Sequence, residues 1–295
     1  MHPHGPNGQG TDHHHLFDTP EAAASTELEG EVLIGFVHEA TEVLADRCAS
    51  GGIEVRRVLD LGSGPGVGTC ALAERFPGAT VVAVDDSATM LERASARAVR
   101  LGLADRVETR QIDLATEIDQ LGRAELAWAS ISLHHVGDEQ TALLQVHALL
   151  GRGGLVALVE RDRPSRVVPD AVDLGRPGLW ERLDAAWGAW FADMRSDLPG
   201  ASASADYPDM LTAAGFDVVA DEALSLTIDA PLDDQGRRFA LKQVAQARRM
   251  LESRVEAADL AALDFLLDEH APDGVMRRDD VQLRATRRLY VGQRR

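Results

Sequence analysis

The stretch "VLDLGSGPGVGT", residues 58–69, decides the fold. It places glycines at every second position from Gly62, directly after a short apolar run that contains Asp60. The pattern predicts a buried strand up to Leu61, a turn at the glycines and a helix from Thr69. Glycine adopts a positive φ without steric cost and lets backbone N–H groups approach a ligand with no Cβ in the way. A strand–turn–helix unit with a ligand at its turn is therefore expected.

The neighbouring sequence repeats this alternation. Strands are predicted at residues 55–61, 81–84, 107–113, 124–130, 154–160, 214–228 and 281–292, and helices at 69–76, 90–103 and 141–151. Several of these strands are apolar without alternation, which is typical of a parallel sheet covered by helices on both faces. The sequence thus predicts an α/β fold with a doubly wound sheet, whose ligand lies at the carboxyl ends of the strands.

Composition narrows the choice of partner. The chain has 295 residues and a formal net charge of -18, with no basic cluster, which argues against nucleic acid and for a small molecule. No apolar run approaches the ~20 residues that a membrane span requires. There are two cysteines and no signal peptide, so a cytoplasmic location is expected. No set of side chains has the spacing of a metal site.

The glycine pattern and the acids around it point to a particular ligand. The pattern is G-x-G-x-G rather than the dinucleotide pattern G-x-G-x-x-G, since Val67 stands where the third glycine would be. Asp60 would oppose a pyrophosphate but suits an ammonium or sulfonium group. Asp85, at the end of the second strand, is placed to bind a ribose diol, and Asp113 could accept from an exocyclic amine. A cationic amino acid, a ribose and an adenine together describe S-adenosylmethionine.

Five stretches carry a family resemblance, in order, over about residues 55–160: "VLDLGSGPGVGT", "VVAVDDSATML", "RQIDLA", "AWASISLHH" and "HALLGRGGLVALVE". They resemble the successive motifs of the class I S-adenosylmethionine-dependent methyltransferases, in particular the small-molecule branch. The resemblance implies a Rossmann-like sheet of seven strands with the last one antiparallel, S-adenosylmethionine as cofactor and S-adenosylhomocysteine as product. The cofactor-binding residues that it implies are Asp60, Gly62, Ser63, Gly64, Gly66, Asp85, Asp86, Met90, Asp113, Leu114 and Ser130. Asp86 departs from the family, in which an apolar residue is frequent at this position.

The chemistry expected is methyl transfer to a small organic acceptor, at oxygen or nitrogen rather than at carbon. A protonated acceptor needs a base, and His134 and His135 follow the fourth strand beside the expected methyl position. The motif Asn/Asp-Pro-Pro-Tyr of enzymes that methylate nucleic-acid bases is absent. One alternative is a protein that binds S-adenosylmethionine without transferring its methyl group. The other alternative is a nicotinamide-dependent oxidoreductase. The sequence lacks the third glycine of the dinucleotide pattern and a Tyr-x-x-x-Lys pair, which disfavours this alternative.

The sequence predicts that the chain consists of five segments. Residues 1–15 form a disordered tail rich in His and Gly, 16–52 an N-terminal helical cap, and 53–166 the cofactor-binding core. Residues 167–206 form a helical lid, in which Trp180, Trp187, Trp190 and Phe191 fall largely on one helical face and line an acceptor pocket or pack in the core. Residues 207–295 complete the sheet, with a helical insertion at about 231–279. The apolar side of that insertion packs on the sheet or on a second subunit, which would make a homodimer.

Overall fold

The computed structural model describes residues 19–161, 163–167, 175–196 and 206–295. The predicted tail, residues 1–15, lies outside these ranges. Within them, the helices are α1 Pro20–Val32, α2 Ile34–Ser50, α3 Val67–Arg75, α4 Ala88–Arg100, α5 Glu139–Leu149, α6 Leu179–Ser196, α7 Tyr207–Ala213, α8 Asp234–Met250 and α9 Ala257–Leu267. The strands are β1 Arg57–Leu61, β2 Thr80–Asp85, β3 Val107–Gln111, β4 Ala124–Ser130, β5 Leu150–Arg161, β6 Phe216–Ile228 and β7 Leu283–Arg294.

The seven strands form one sheet in the order β3-β2-β1-β4-β5-β7-β6. Strands β1 to β5 pair in parallel, whereas β7 lies antiparallel between β5 and β6. From β1 the chain continues to β2 and β3 on one side of the sheet, and then returns to place β4 on the other side of β1, so the strand order reverses at β1. Ligands in such sheets bind at this reversal, outside the carboxyl ends of the strands. The predicted fold class, including the antiparallel last strand, is confirmed.

Three helices begin two residues earlier than the sequence analysis predicted, namely α3, α4 and α5, and two of them have a side-chain cap. Ser87 caps α4 by accepting a hydrogen bond from the Met90 N–H (3.2 Å), and Asp138 caps α5 by accepting from the Thr141 N–H (3.0 Å). Both are good N-cap residues because their side-chain oxygens satisfy an N–H of the first turn. The predictions began two residues late because they followed the apolar residues rather than the caps.

The N-terminal segment consists of two helices, α1 and α2, which are separated at Leu33. The two glycines near this break mark close approaches to the rest of the chain. A Cβ on Gly30 would lie 2.9 Å from a methyl group of Val67, and one on Gly35 would lie 2.9 Å from a methyl group of Leu226. The first helix is thereby held against the start of α3, beside the glycine turn.

The sheet separates two apolar clusters. Successive side chains of a strand point to opposite faces, so Val58 packs with α2 and α3, while Leu59 and Leu61 pack with α5 and α7. Phe239 of α8 and Leu263 of α9 belong to the first cluster, so the apolar side of the 231–279 insertion packs within this chain. Within the described ranges, no helix is long and apolar enough to cross a membrane.

Candidate functional site

The glycine turn begins where β1 ends. Gly62, Gly64 and Gly66 have φ values of 71°, 51° and 80°, in the left-handed region that favours glycine. The N–H groups of Gly62 and Ser63 both donate to the carbonyl of Val84 in β2 (2.8 Å each). The turn is thus fastened to the end of the neighbouring strand.

The glycines of this turn have different surroundings. A Cβ on Gly66 would lie 2.6 Å from the Cβ of Ala94, and one on Gly62 would collide with the side chain of Ser132, so packing within the protein itself excludes a side chain there. A Cβ on Gly64 would meet only Thr26, at 3.6 Å. The open side of the turn is therefore at Gly64, which is where a ligand can approach the backbone.

Asp85 holds this open part of the turn. Its Oδ2 accepts from the Gly64 N–H (2.8 Å) and its Oδ1 from the Ser87 N–H (3.1 Å). Burial raises the pKa of the Asp85 carboxyl, while these two N–H groups act to lower it. A carboxylate offers about four acceptor positions in all, so Asp85 can also accept a hydrogen bond from a hydroxyl group. In the described part of the chain the buried Oγ of Ser63 has no hydrogen-bond partner. The turn therefore offers polar groups that fit the ribose and amino-acid parts of S-adenosylmethionine.

Asp60 lies beneath the turn and is only 2% exposed. Its Oδ2 accepts a hydrogen bond of 2.6 Å from the Thr69 Oγ1 in α3, because Asp60 points to the same face of the sheet as Val58. Burial raises the pKa of Asp60 to about 7, although the Thr69 hydroxyl lowers it, and the charge of Asp85 adds to the increase. A carboxylate that is costly to ionise here favours a nearby cation.

The residues predicted around the adenine lie at the ends of β2 and β3. Asp86 is exposed, and its carbonyl accepts from the Gln111 Nε2 (2.9 Å), while Met90 is buried in the first turn of α4. Asp113 accepts from the Ala115 N–H (2.8 Å) and the Thr116 hydroxyl (2.9 Å). Leu114 is half-buried beside the second apolar cluster. Since Asp85 is paired with Gln111 in the sheet, Asp113 lies close to the end of β2.

The end of β4 carries a feature that the sequence did not reveal. Ser130, the last residue of the strand, is half-buried and is followed by Ile131, whose φ of 54° is rare for a β-branched residue. Hydrogen bonds hold this conformation: the Ile131 N–H donates to Val159 O (2.8 Å), and the Ser132 Oγ to Leu61 O (2.7 Å). The strained residue adjoins the glycine turn.

The two candidate histidines differ in their environment. His134 is 8% exposed, and its Nδ1 lies 2.8 Å from the Oε2 of Glu160 in β5, whereas His135 is exposed. When Nδ1 carries the proton and donates to the carboxylate, Nε2 keeps a lone pair and can accept a proton. His134 is therefore the better placed base. Glu160 was not identified from the sequence, because its contact with His134 crosses 26 residues.

Helix α6 is anchored by an ion pair that the sequence analysis also missed. Arg195 of α6 is 1% exposed and donates twice to Glu139 at the start of α5, at 3.1 and 2.6 Å, and the Tyr207 hydroxyl donates to the same carboxylate at 2.9 Å. Phe191 of the same helix lies near Arg195, and its ring is edge-on to the His134 ring, with ring centroids 6.0 Å apart. The anchored helix therefore covers the side of the site that holds His134.

Comparisons with known proteins agree with this geometry. Residues 58–154 match the family model described as a methyltransferase domain. A trans-aconitate 2-methyltransferase of Azoarcus sp. is 30% identical over 241 residues, which are 80% of this chain and 88% of the relative. An enzyme of the same name from Paracidovorax citrulli is 42% identical over 102 residues, and the chain spans 37% of its length. The YcgJ protein of Bacillus subtilis has a similar fold, with a TM-score of 0.53 at 18% identity over 88% of this chain and 99% of that one.

The sheet order and the glycine turn define a Rossmann-like α/β domain, a fold shared with the YcgJ protein. The chain belongs to the class I S-adenosylmethionine-dependent methyltransferases, and its cofactor is S-adenosylmethionine. The predicted class of enzyme is thereby confirmed, and nothing in the comparisons favours an oxidoreductase. The individual cofactor-binding residues and the two histidines stay predictions.

Proposed function

We propose that this enzyme transfers a methyl group to an oxygen or nitrogen atom of a small organic acceptor. Its similarity to trans-aconitate 2-methyltransferases, which extends over 80% of the chain in the Azoarcus relative, supports a small acceptor. The observation that carries the proposal is the open glycine turn at Gly64, held by the carboxylate of Asp85. When bound, S-adenosylmethionine supplies an electrophilic methyl group on a sulfonium.

Residues at the turn and at three strand ends would hold the cofactor. The backbone of the turn and the Ser63 hydroxyl would bind the amino-acid part, and Asp85 the ribose. Asp60 would stabilise the cationic groups from beneath the turn through its charge. The residues proposed for the adenine and the methyl-donor pocket are Asp86, Met90, Asp113, Leu114 and Ser130.

His134 is the proposed base for an acceptor that must lose a proton. Glu160 orients the ring and stabilises the imidazolium that forms when Nε2 takes the proton. An acceptor that is already ionised, such as a carboxylate, needs no base, and the enzyme then chiefly aligns the two reactants. Alignment alone can supply about 7–11 kcal/mol of the barrier reduction.

The test is a screen of candidate acceptors, including trans-aconitate and phenolic compounds, read by the release of S-adenosylhomocysteine. On a phenolic acceptor, His134→Gln should lower turnover by about 10²–10⁴-fold, while His135→Gln serves as the matched control. Gly64→Val should abolish binding of S-adenosylhomocysteine with the far-ultraviolet circular dichroism unchanged. Binding without product release on any acceptor would instead indicate a protein that holds the cofactor without methylating.

The chain itself supports a cytoplasmic location and a lack of nucleic-acid binding. Cys48 and Cys70 are both free and buried, and burial raises the pKa of each thiol to about 11, so they stay protonated. Unpaired cysteines are usual in a reducing compartment. The formal net charge of -18 opposes association with a phosphate backbone.

A further inference from the structure

A pocket of about 40 Å³ that opens to solvent lies between α6 and α8, beside the end of β5. Trp180 and Trp187 of α6 and Met250 of α8 provide apolar walls. The polar side chains in its lining are Arg161, Ser165, Asp184, Gln243 and Gln246. An apolar pocket with a few convergent polar groups is the usual form of a small-molecule site.

Positive charge is concentrated at the Arg161 end of this pocket. Arg161, Arg287 and Lys242 share the carboxylate of Glu29, with N–O distances of 2.7, 3.4 and 3.6 Å. Glu160 is the only further acid that interacts with Arg287 among the described residues, so three cations face two carboxylates. Burial, and next the charge of Arg161, lower the pKa of Arg287 to about 9. An additional anion would be stabilised at this point.

Gln243 adds an unsatisfied donor. The residue is 8% exposed, and its Nε2 has no hydrogen-bond partner among the described residues. A buried donor left without a partner costs free energy, which an acceptor on a ligand would recover. Among the described residues that line the pocket, Asp184 is the single acid, and it is already paired with Arg166 at 2.8 Å.

A chain of contacts connects the pocket with the proposed base. Trp187 stacks on Phe191, with centroids 5.1 Å apart and planes 11° from parallel, and Phe191 lies edge-on to His134. Arg161 directly follows Glu160, the partner of His134, in β5. The rings of Trp187 and Phe191 therefore connect the pocket with His134, the proposed base.

We propose that this pocket binds the acceptor and that the acceptor is an organic acid with an apolar body. Its carboxylate would be bound by the Arg161 guanidinium and the Gln243 amide, and its apolar part would lie against Trp180 and Trp187. This inference rests on the proposed function, because it names the class of acceptor for the same reaction.

Calorimetric titration in the presence of S-adenosylhomocysteine tests the proposal with two probes. Phenylacetate carries the anion and the apolar body, and phenylacetamide is its uncharged analogue. We expect phenylacetate to bind at least about 10-fold more tightly, since hydrogen bonds to a charged group are the stronger ones. Arg161→Gln should weaken the binding of phenylacetate by about 10–100-fold and leave the two probes nearly equal.

Gln243→Met provides a test that does not disturb the ion pairs of Arg161. It removes a donor without a partner, so the fold should be kept, and phenylacetate should bind about 5–10-fold more weakly. Gln235→Met, the same change at an exposed position of α8, is the matched control: it removes a hydrogen bond to Glu31 (2.8 Å) and should leave phenylacetate binding unchanged.

Equal affinity for the two probes, no binding of phenylacetate, or identical behaviour of Gln243→Met and Gln235→Met would overturn the proposed pocket. Binding of S-adenosylhomocysteine is measured in every variant. A protein that binds it normally but fails these tests loses only the acceptor assignment. A protein that binds none contradicts the proposed function itself.

Discussion

Replacing Asp60 by Asn should stabilise the protein at alkaline pH. The pKa of Asp60 is about 7 in the folded chain against a usual 3.8, so keeping the ionised carboxylate buried costs the folded state about 4 kcal/mol. Asn keeps an oxygen that can accept from Thr69 and cannot ionise. Above pH 7 the variant should therefore gain up to about 4 kcal/mol of unfolding free energy over the parent protein.

The pH dependence separates this effect from changes in packing. Because the folded pKa is raised, the contribution of Asp60 is fully favourable below pH 3.8 and is lost as the pH rises through 7. Between pH 5 and pH 8 the contribution of residue 60 to the unfolding free energy should fall by about 2.5 kcal/mol in the parent protein and stay constant in Asp60→Asn. Urea unfolding of both proteins at the two pH values measures it, since any effect of the substitution on packing cancels in the difference. A stability gap between the two proteins that is the same at pH 5 and pH 8, within about 0.5 kcal/mol, would refute the reasoning.

The same substitution should affect the cofactor in the opposite direction. The ionised carboxylate beneath the turn favours a cation, so Asp60→Asn should bind S-adenosylmethionine more weakly, and the loss should be smaller for S-adenosylhomocysteine, which has no sulfonium charge.

Thr69→Val is the companion variant: it removes the hydroxyl that lowers the pKa of Asp60 and should shift the stability transition to higher pH.

Three further changes should have defined outcomes. Gly66→Ala should lower the unfolding free energy by at least about 2 kcal/mol in a urea titration, because φ is 80° and the new Cβ would lie 2.6 Å from that of Ala94; a loss below 1 kcal/mol would contradict this. Arg195→Met leaves the buried Glu139 carboxylate without its cation and should cost about 3–5 kcal/mol by the same assay; a loss below about 1 kcal/mol would contradict the role given to this ion pair. Asp85→Ala should weaken calorimetric binding of S-adenosylhomocysteine by about 10–100-fold, and unchanged affinity would remove this residue from the site.

The sequence was a good guide to the sheet because strands covered on both faces have a simple signature. "AELAWAS" was assigned to residues 124–130 and is β4 at these bounds. The boundary at Leu33 was harder to place, because Gly30 and Gly35 mark contacts with Val67 and Leu226 rather than the break itself. Such contacts join distant parts of the chain and leave no local pattern.

The site was predictable where local geometry decides it and not where distant residues meet. The turn at Gly64 and the acid at the end of β2 follow from the order strand, glycines, helix, strand. The contact between His134 and Glu160 does not follow from this order, because it depends on how far the neighbouring parallel strands β4 and β5 extend. The strained Ile131 is likewise fixed by hydrogen bonds to Val159 and not by its own residue type.

Net charge is informative about large partners and uninformative about the ligand of a single pocket. A formal charge of -18 is spread over the whole surface and opposes a polyanion, which senses many charges at once. A small acid in the pocket senses chiefly the charges within a Debye length of about 8 Å at physiological salt. There Arg161, Arg287 and Lys242 outnumber the carboxylates of Glu29 and Glu160, and their burial reduces screening further. An acidic enzyme can therefore bind an anionic acceptor, and raising the salt concentration should weaken phenylacetate binding far less than it would weaken binding at an exposed cation.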